Sequence, residues 1–162
     1  MKYISIIFLL LAVSACRTKT VTTDEPISKV AWTRVDFKPA KDLIFPNAYN
    51  SYTLNTEVFK QELLAGEIEL PSLDGKVNSY KVKDSGTMSE ALQAKFPSIR
   101  SYSGYDVRNS LCQLRVDQKE DIFKIVVLCN DKTFYIQGLY DLGLYFIYDK
   151  KDLPEGVGTV KE

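Results

Sequence analysis

Residues 111–129, LCQLRVDQKEDIFKIVVLC, carry two stretches of alternating apolar and polar residues around a charged centre. Alternation with period two marks half-buried strands, and Gln118-Lys119-Glu120-Asp121 reads as the turn joining Leu111–Asp117 to Ile122–Cys129. With the turn centred between Glu120 and Asp121, Leu114 faces Val127, Val116 faces Ile125 and Cys112 faces Cys129. All three pairs are apolar and share a face, as a hairpin packed on a core requires. Opposed cysteines are close enough to bridge, so this register predicts a Cys112–Cys129 disulfide, worth about 3 kcal/mol in the chain-entropy model. The alternative is a thiolate that reacts or holds zinc.

Working outward, the same reading finds further short strands joined by tight turns. Upstream, Glu67–Ser72 and Val77–Lys83 flank Leu73-Asp74-Gly75-Lys76, where Asp-Gly signals a hairpin. A three-residue loop there sets Leu70 opposite Tyr80 and Ile68 opposite Val82. Ile99–Tyr105 is extended, and Val30–Phe37 reads as a first strand with the only tryptophan, Trp32, as a core anchor. A turn at Phe45-Pro46-Asn47-Ala48 leads into extended Tyr49–Leu54. Downstream, Asn130-Asp131-Lys132 turns the chain into Thr133–Gln137, and Leu144–Tyr148 forms a last strand.

Two helices interrupt the strands. Asn55 is placed to cap a helix over Thr56–Ala65 that ends on Gly66, with Phe59 and Leu63 on one face. Thr87 and Glu90 have capping-box spacing for a second helix, from Met88 or Glu90 to Lys95, halted near Pro97. Its apolar residues Met88, Ala91, Leu92 and Phe96 are assigned to the core. Helices this short cannot cover both faces of a parallel sheet, so the fold class is α+β: mainly antiparallel β-sheet with two short helices.

Composition bounds the function. The 162 residues hold 21 basic and 21 acidic side chains, which gives no electrostatic footprint for nucleic acid. Histidine is absent, which removes Ser-His-Asp and Cys-His catalysis and histidine zinc sites. A carboxylate enzyme would need two acids converging in a cleft, and no paired-acid motif is present. No cofactor is implied.

At the N-terminus, Lys2 precedes an apolar run, Ile4–Val13, and then Ser14-Ala15-Cys16. The run is too short to span a bilayer, and small residues directly before a cysteine resemble the lipobox of bacterial lipoproteins. That resemblance implies cleavage after residue 15 and acylation of Cys16, against the alternatives of an ordinary secretory signal or a buried strand. The division of the chain is then a signal peptide over 1–15, a lipidated tether over 16–29, one domain over 30–154 and a flexible tail over 155–162. An exported chain with two cysteines besides Cys16 also suits the predicted disulfide. Arg17 follows Cys16 where inner-membrane retention typically uses aspartate, and 17–20 are basic rather than acidic; both point to the periplasmic face of the outer membrane.

Three stretches resemble a known family. FPNAYNSYTLN (45–55), IELPSLDGKVNSYKVKDSGTM (68–88) and above all ALQAKFPSIRSYSG (91–104) are similar to the N-terminal prodomain of reprolysin-like zinc metallopeptidases from Bacteroidetes. Phe134-Tyr135-Ile136 and YFIYDKKDLP (145–154) extend the likeness over most of Trp32–Pro154. The family's H-E-x-x-H catalytic motif has no counterpart here, and its acidic-proline ending after the aromatic strand is replaced by Gln137-Gly138-Leu139. The resemblance therefore implies a stand-alone prodomain on a lipid anchor. Its expected partners are the membrane, through Cys16, and a zinc metallopeptidase that it binds or inhibits in trans. Carboxylates available for zinc capture are Asp84 and Asp106. The alternative is an envelope lipoprotein that binds another protein or a glycan, with Tyr102, Tyr105 and Tyr140 as a candidate aromatic patch.

Overall fold

The computed structural model describes residues 30–40 and 43–155. Nine strands form one antiparallel sheet: β1 (Trp32–Val35), β2 (Asn50–Leu54), β3 (Glu67–Pro71), β4 (Val77–Asp84), β5 (Ile99–Asp106), β6 (Gln113–Lys119), β7 (Ile122–Cys129), β8 (Lys132–Leu139) and β9 (Leu144–Asp149). Their order is β1-β2-β9-β8-β7-β6-β5-β4-β3, a meander from β3 to β9 extended by β2 and β1. The sheet curls into a nearly closed, barrel-like form. The helices are α1 (Thr56–Ala65) and α2 (Glu90–Lys95).

The β6–β7 register is the one read from the sequence: Leu114 pairs with Val127 and Val116 with Ile125, and all four are buried. Lys119 pairs with Ile122, leaving Glu120-Asp121 as a two-residue loop in which Glu120 takes a φ of 57°. Such tight loops match the twist of paired strands only when a residue enters the left-handed region.

The β3–β4 register corrects the sequence expectation by two residues. Ile68 pairs with Tyr80 and Leu70 with Asn78, not with Val82 and Tyr80. The loop is three residues long, but it is Leu73-Asp74-Gly75, one position earlier than read. Ser72 N–H bonds to Lys76 O at 2.8 Å, Gly75 N–H bonds to Ser72 O at 3.0 Å, and Gly75 supplies the φ of 80° that the turn needs. Because side chains alternate with period two, this slip preserves every face, and Ile68, Leu70, Tyr80 and Val82 remain buried.

Helix α1 forms as the sequence indicates. Asn55 accepts from Val58 N–H at 3.3 Å, and Gly66 closes the helix in the left-handed conformation with φ 83°. Phe59 and Leu63 enter the concave interior, where Phe59 meets Trp32 and Phe123 edge-on at centroid distances of 5.4 and 5.0 Å. The α1 helix is the plug of one end of the barrel.

Helix α2 departs from expectation. None of its residues is buried, Leu92 is 47% exposed and Phe96 42%, so the assignment of Met88, Ala91, Leu92 and Phe96 to the core is corrected. The capping box is also absent: Ser89 is the N-cap without a side-chain bond, and Thr87 Oγ1 lies 3.0 Å from Ser85 Oγ. The physical reason is topological. Strands β4 and β5 are hydrogen-bonded neighbours, so the connection carrying α2 has only to turn back at the barrel's end and crosses no face of the sheet.

A second, smaller core lies on the convex face. Phe37, Phe45 and Tyr49 fold over Phe146, with Phe45 edge-on to it at 4.7 Å, and Tyr49 Oη donates to Phe37 O at 2.9 Å. Strand β9 is thereby covered on both sides, which is why Tyr145–Asp149 is buried without alternation.

Candidate binding surface

Cys112 and Cys129 form the predicted disulfide, with Cα atoms 4.0 Å apart, and Asn109 Nδ2 donates to Cys112 Sγ at 3.1 Å. Both sulfurs belong to the bridge, so the thiolate alternative is not realised. The lipidation residue Cys16, the signal peptide 1–15 and the tether 16–29 lie outside the described residues.

The two candidate carboxylates do not converge. Asp84 Oδ1 accepts from Gly86 N–H at 2.9 Å and its Oδ2 lies 3.5 Å from Arg100 Nη1. Asp106 is buried, and its Oδ1 accepts from the backbone N–H groups of Arg108 and Asn109 at 2.7 and 3.2 Å. Both are turn-forming acids in the manner usual for aspartate. In the β4–β5 ladder Asp84 pairs with Tyr102 and Asp106 with Tyr80, four positions away, which separates them by about 13 Å at strand rise. Paired-carboxylate glycoside hydrolysis works at about 5–9.5 Å. Among the described residues no group of three or more Cys, Asp or Glu side chains is placed to hold a metal ion, and no helix is long and apolar enough to cross a membrane.

The three tyrosines are also separated. Tyr102 is buried on the inner face, and burial raises its phenol pKa. Tyr140 is half-buried edge-on to Tyr145 at 5.9 Å. Only Tyr105 is well exposed, at 45%. It borders an outer groove of about 650 Å³ with Lys81, Lys83, Ser103 and Gln113. The groove follows from register: Lys81 pairs with Tyr105, which pairs with Gln113, while Lys83 pairs with Ser103, so these side chains stand on one outward face.

Sequence reasoning missed the apolar surface at α2. Leu92 and Phe96 lie one turn apart on the helix, and Ile99, 37% exposed, follows with its N–H bonded to Phe96 O at 3.1 Å. Lys95 Nζ sits 5.5 Å from the centre of the Phe96 ring. The available signal was the length of the helix: six residues between two neighbouring strands give too little reach to enter a core.

What fold and surface define is an antiparallel, barrel-like domain with a plugged interior, a disulfide-bridged hairpin and an exposed apolar edge. Compared with known protein families, with curated proteins and with solved structures, the chain matches none.

Proposed function

We propose that the chain is a non-catalytic lipoprotein of the cell envelope, held by acyl groups on Cys16 at the outer membrane, whose prodomain-like domain binds and restrains a zinc metallopeptidase in trans. One observation carries the reading. The block most similar to the peptidase prodomains, residues 91–104, is where the domain exposes neighbouring apolar side chains, Leu92, Phe96 and Ile99. Apolar groups that a core does not use are costly to leave in water, and clusters of them mark interaction surfaces. The periplasmic face is the side this reading assigns.

The test is capture from envelope extracts with the acylated chain. Recovery of a zinc peptidase whose activity falls on adding wild-type protein, and falls less with Leu92→Asp/Phe96→Asp, supports the reading; recovery of no peptidase overturns it. Labelling with an alkynyl fatty acid that marks wild type and spares Cys16→Ala supports the anchor.

A second reading rests on the outer groove. Lys81 and Lys83 have no ion-pair partner among the described residues, and with Tyr105 they suit an envelope module that binds a glycan or another protein. A glycan array with Lys81→Ala/Tyr105→Ala as control separates the two.

A further inference from the structure

Two open grooves lie end to end on the outward face of the sheet. The first is the groove of about 650 Å³ between Lys81, Lys83, Ser103, Tyr105 and Gln113. The second, of about 400 Å³, is bordered by Ser101, Asp117, Lys119, Ile122 and Lys124. Ser103 and Ser101 are successive outward residues of β5, so the grooves meet there, and Arg115, opposite Ser103 on β6, stands between them. Each has the volume of a small-molecule site, about 300–1,000 Å³, and together they form one trough across β4–β7.

The chain as a whole is neutral, with 21 basic and 21 acidic residues, but this face is not. By the alternation of the ladder, Lys81, Lys83, Arg115, Lys119 and Lys124 turn outward on β4–β7 against one carboxylate, Asp117. That carboxylate is already engaged: it accepts from Ser101 Oγ at 2.6 Å and from Arg115 Nε at 3.0 Å. Among the described residues Lys81, Lys83 and Lys119 have no ion-pair partner, and Glu67, across the ladder from Lys81, makes no ion pair with it. Like charges on alternate residues of one strand repel, so an anion seated between them is favoured.

The neutral groups of the trough choose among anions. Tyr105 exposes its ring beside the lysines, a flat apolar surface on which a sugar ring can pack, and Ser103, Ser110 and Gln113 around it offer donors and acceptors suited to hydroxyls. A lipid surface is planar and would enter neither groove. We infer that the trough is the binding site of a linear acidic glycan, its rings on Tyr105 and its carboxylates on Lys81 and Lys83 at one end and Lys119 at the other. Lys83 and Lys119 stand four residues apart along the ladder and two strands apart across it, about 16 Å, so only a chain of several sugars reaches both. The inference rests on the reading of the outer groove as a glycan-binding face and narrows it to one class of glycan.

The probes are tetragalacturonate, its uncharged methyl ester, digalacturonate and the peptide tetraglutamate, which separate charge, sugar and length. Each is titrated into the full chain in non-ionic detergent micelles, following the backbone amide resonances of Ser101, Ser103 and Tyr105. Tetragalacturonate is expected to give saturable shifts at all three, with the ester and tetraglutamate each weaker by about tenfold. Lys81→Ala/Lys83→Ala should weaken both acidic sugars by about tenfold, and Tyr105→Ala should remove the preference for tetragalacturonate over tetraglutamate. Lys119→Ala should weaken tetragalacturonate by about threefold and leave digalacturonate unchanged. All four positions are exposed strand residues, and the amide spectrum of each variant reports that it is folded. Absence of saturable shifts, equal binding of tetraglutamate, or binding unchanged in Lys81→Ala/Lys83→Ala each overturns the proposal. Equal binding of the ester also overturns it, while leaving the broader glycan reading of the groove in place.

Discussion

Gly104 and Val82 face each other across β4 and β5 with no room for another carbon between them. A Cβ on Gly104 would lie 2.2 Å from Lys81 O and 2.8 Å from Val82 Cγ1. The obstacle is partly backbone, so side-chain repacking alone cannot relieve it. Gly104→Ala is expected to cost about 1–3 kcal/mol, as overpacking does, read as a lower urea midpoint with an unchanged slope. An unchanged midpoint would show that the two strands separate freely here.

The disulfide joins two strands whose register is already specified by Leu114–Val127 and Val116–Ile125. Its loss should therefore lower stability without rearranging the hairpin. For a sequence separation of 17, Cys112→Ser/Cys129→Ser is expected to cost about 3 kcal/mol, and reductant should produce the same fall in wild type. Amide exchange in β6 and β7 checks the second half: protection should weaken and keep its alternating pattern.

The two helices make opposite predictions from similar residues. Phe59 is fully buried between Trp32 and Phe123, and Phe59→Ala should cost about 3–5 kcal/mol. Phe96 is exposed and anchors nothing in the core, so Phe96→Ala should change stability by less than about 0.5 kcal/mol. Thermal unfolding of both variants checks the contrast. Under the proposed function, Phe96→Ala should also weaken peptidase capture, which Phe59→Ala can affect only through folding.

The contrast also shows what was legible beforehand. The 111–129 hairpin could be read to the residue because, of the registers that keep its inward pairs apolar, the one centred between Glu120 and Asp121 also sets Cys112 opposite Cys129. At 67–83 two registers of the same parity bury the same four residues, so only the turn geometry distinguishes them, and Gly75 in the left-handed region decides. Helix α1 carried both of its caps in sequence. For α2 the apolar periodicity was present, but whether a face meets a core depends on where neighbouring strands lie, and a local pattern does not contain that. The barrel-like closure depends on contacts between distant segments, such as Asn50 with Leu73, and had no local signature.

The β3–β4 turn makes the domain sensitive to acid at one identifiable group. Ser72 Oγ donates to Asp74 Oδ1 at 2.5 Å, and the side chain and backbone N–H of Lys76 add to it, with Nζ 3.0 Å from Oδ2. Together they lower the Asp74 pKa from 3.8 to about 2. A carboxyl depressed in the folded state favours folding fully above its unfolded pKa, and the contribution disappears as pH falls through its folded value. The stabilisation is therefore complete above about pH 4 and lost between about pH 4 and 2. Asp74→Asn, which cannot ionise, should be less stable than wild type near neutrality, and the difference should close across that window. Because the carboxylate is solvent-exposed, the effect is small and should shrink further with added salt. Unfolding curves of the two proteins at stepped pH check it, and a gap that persists to the acid end would place the effect of Asp74 in its shape instead of its charge.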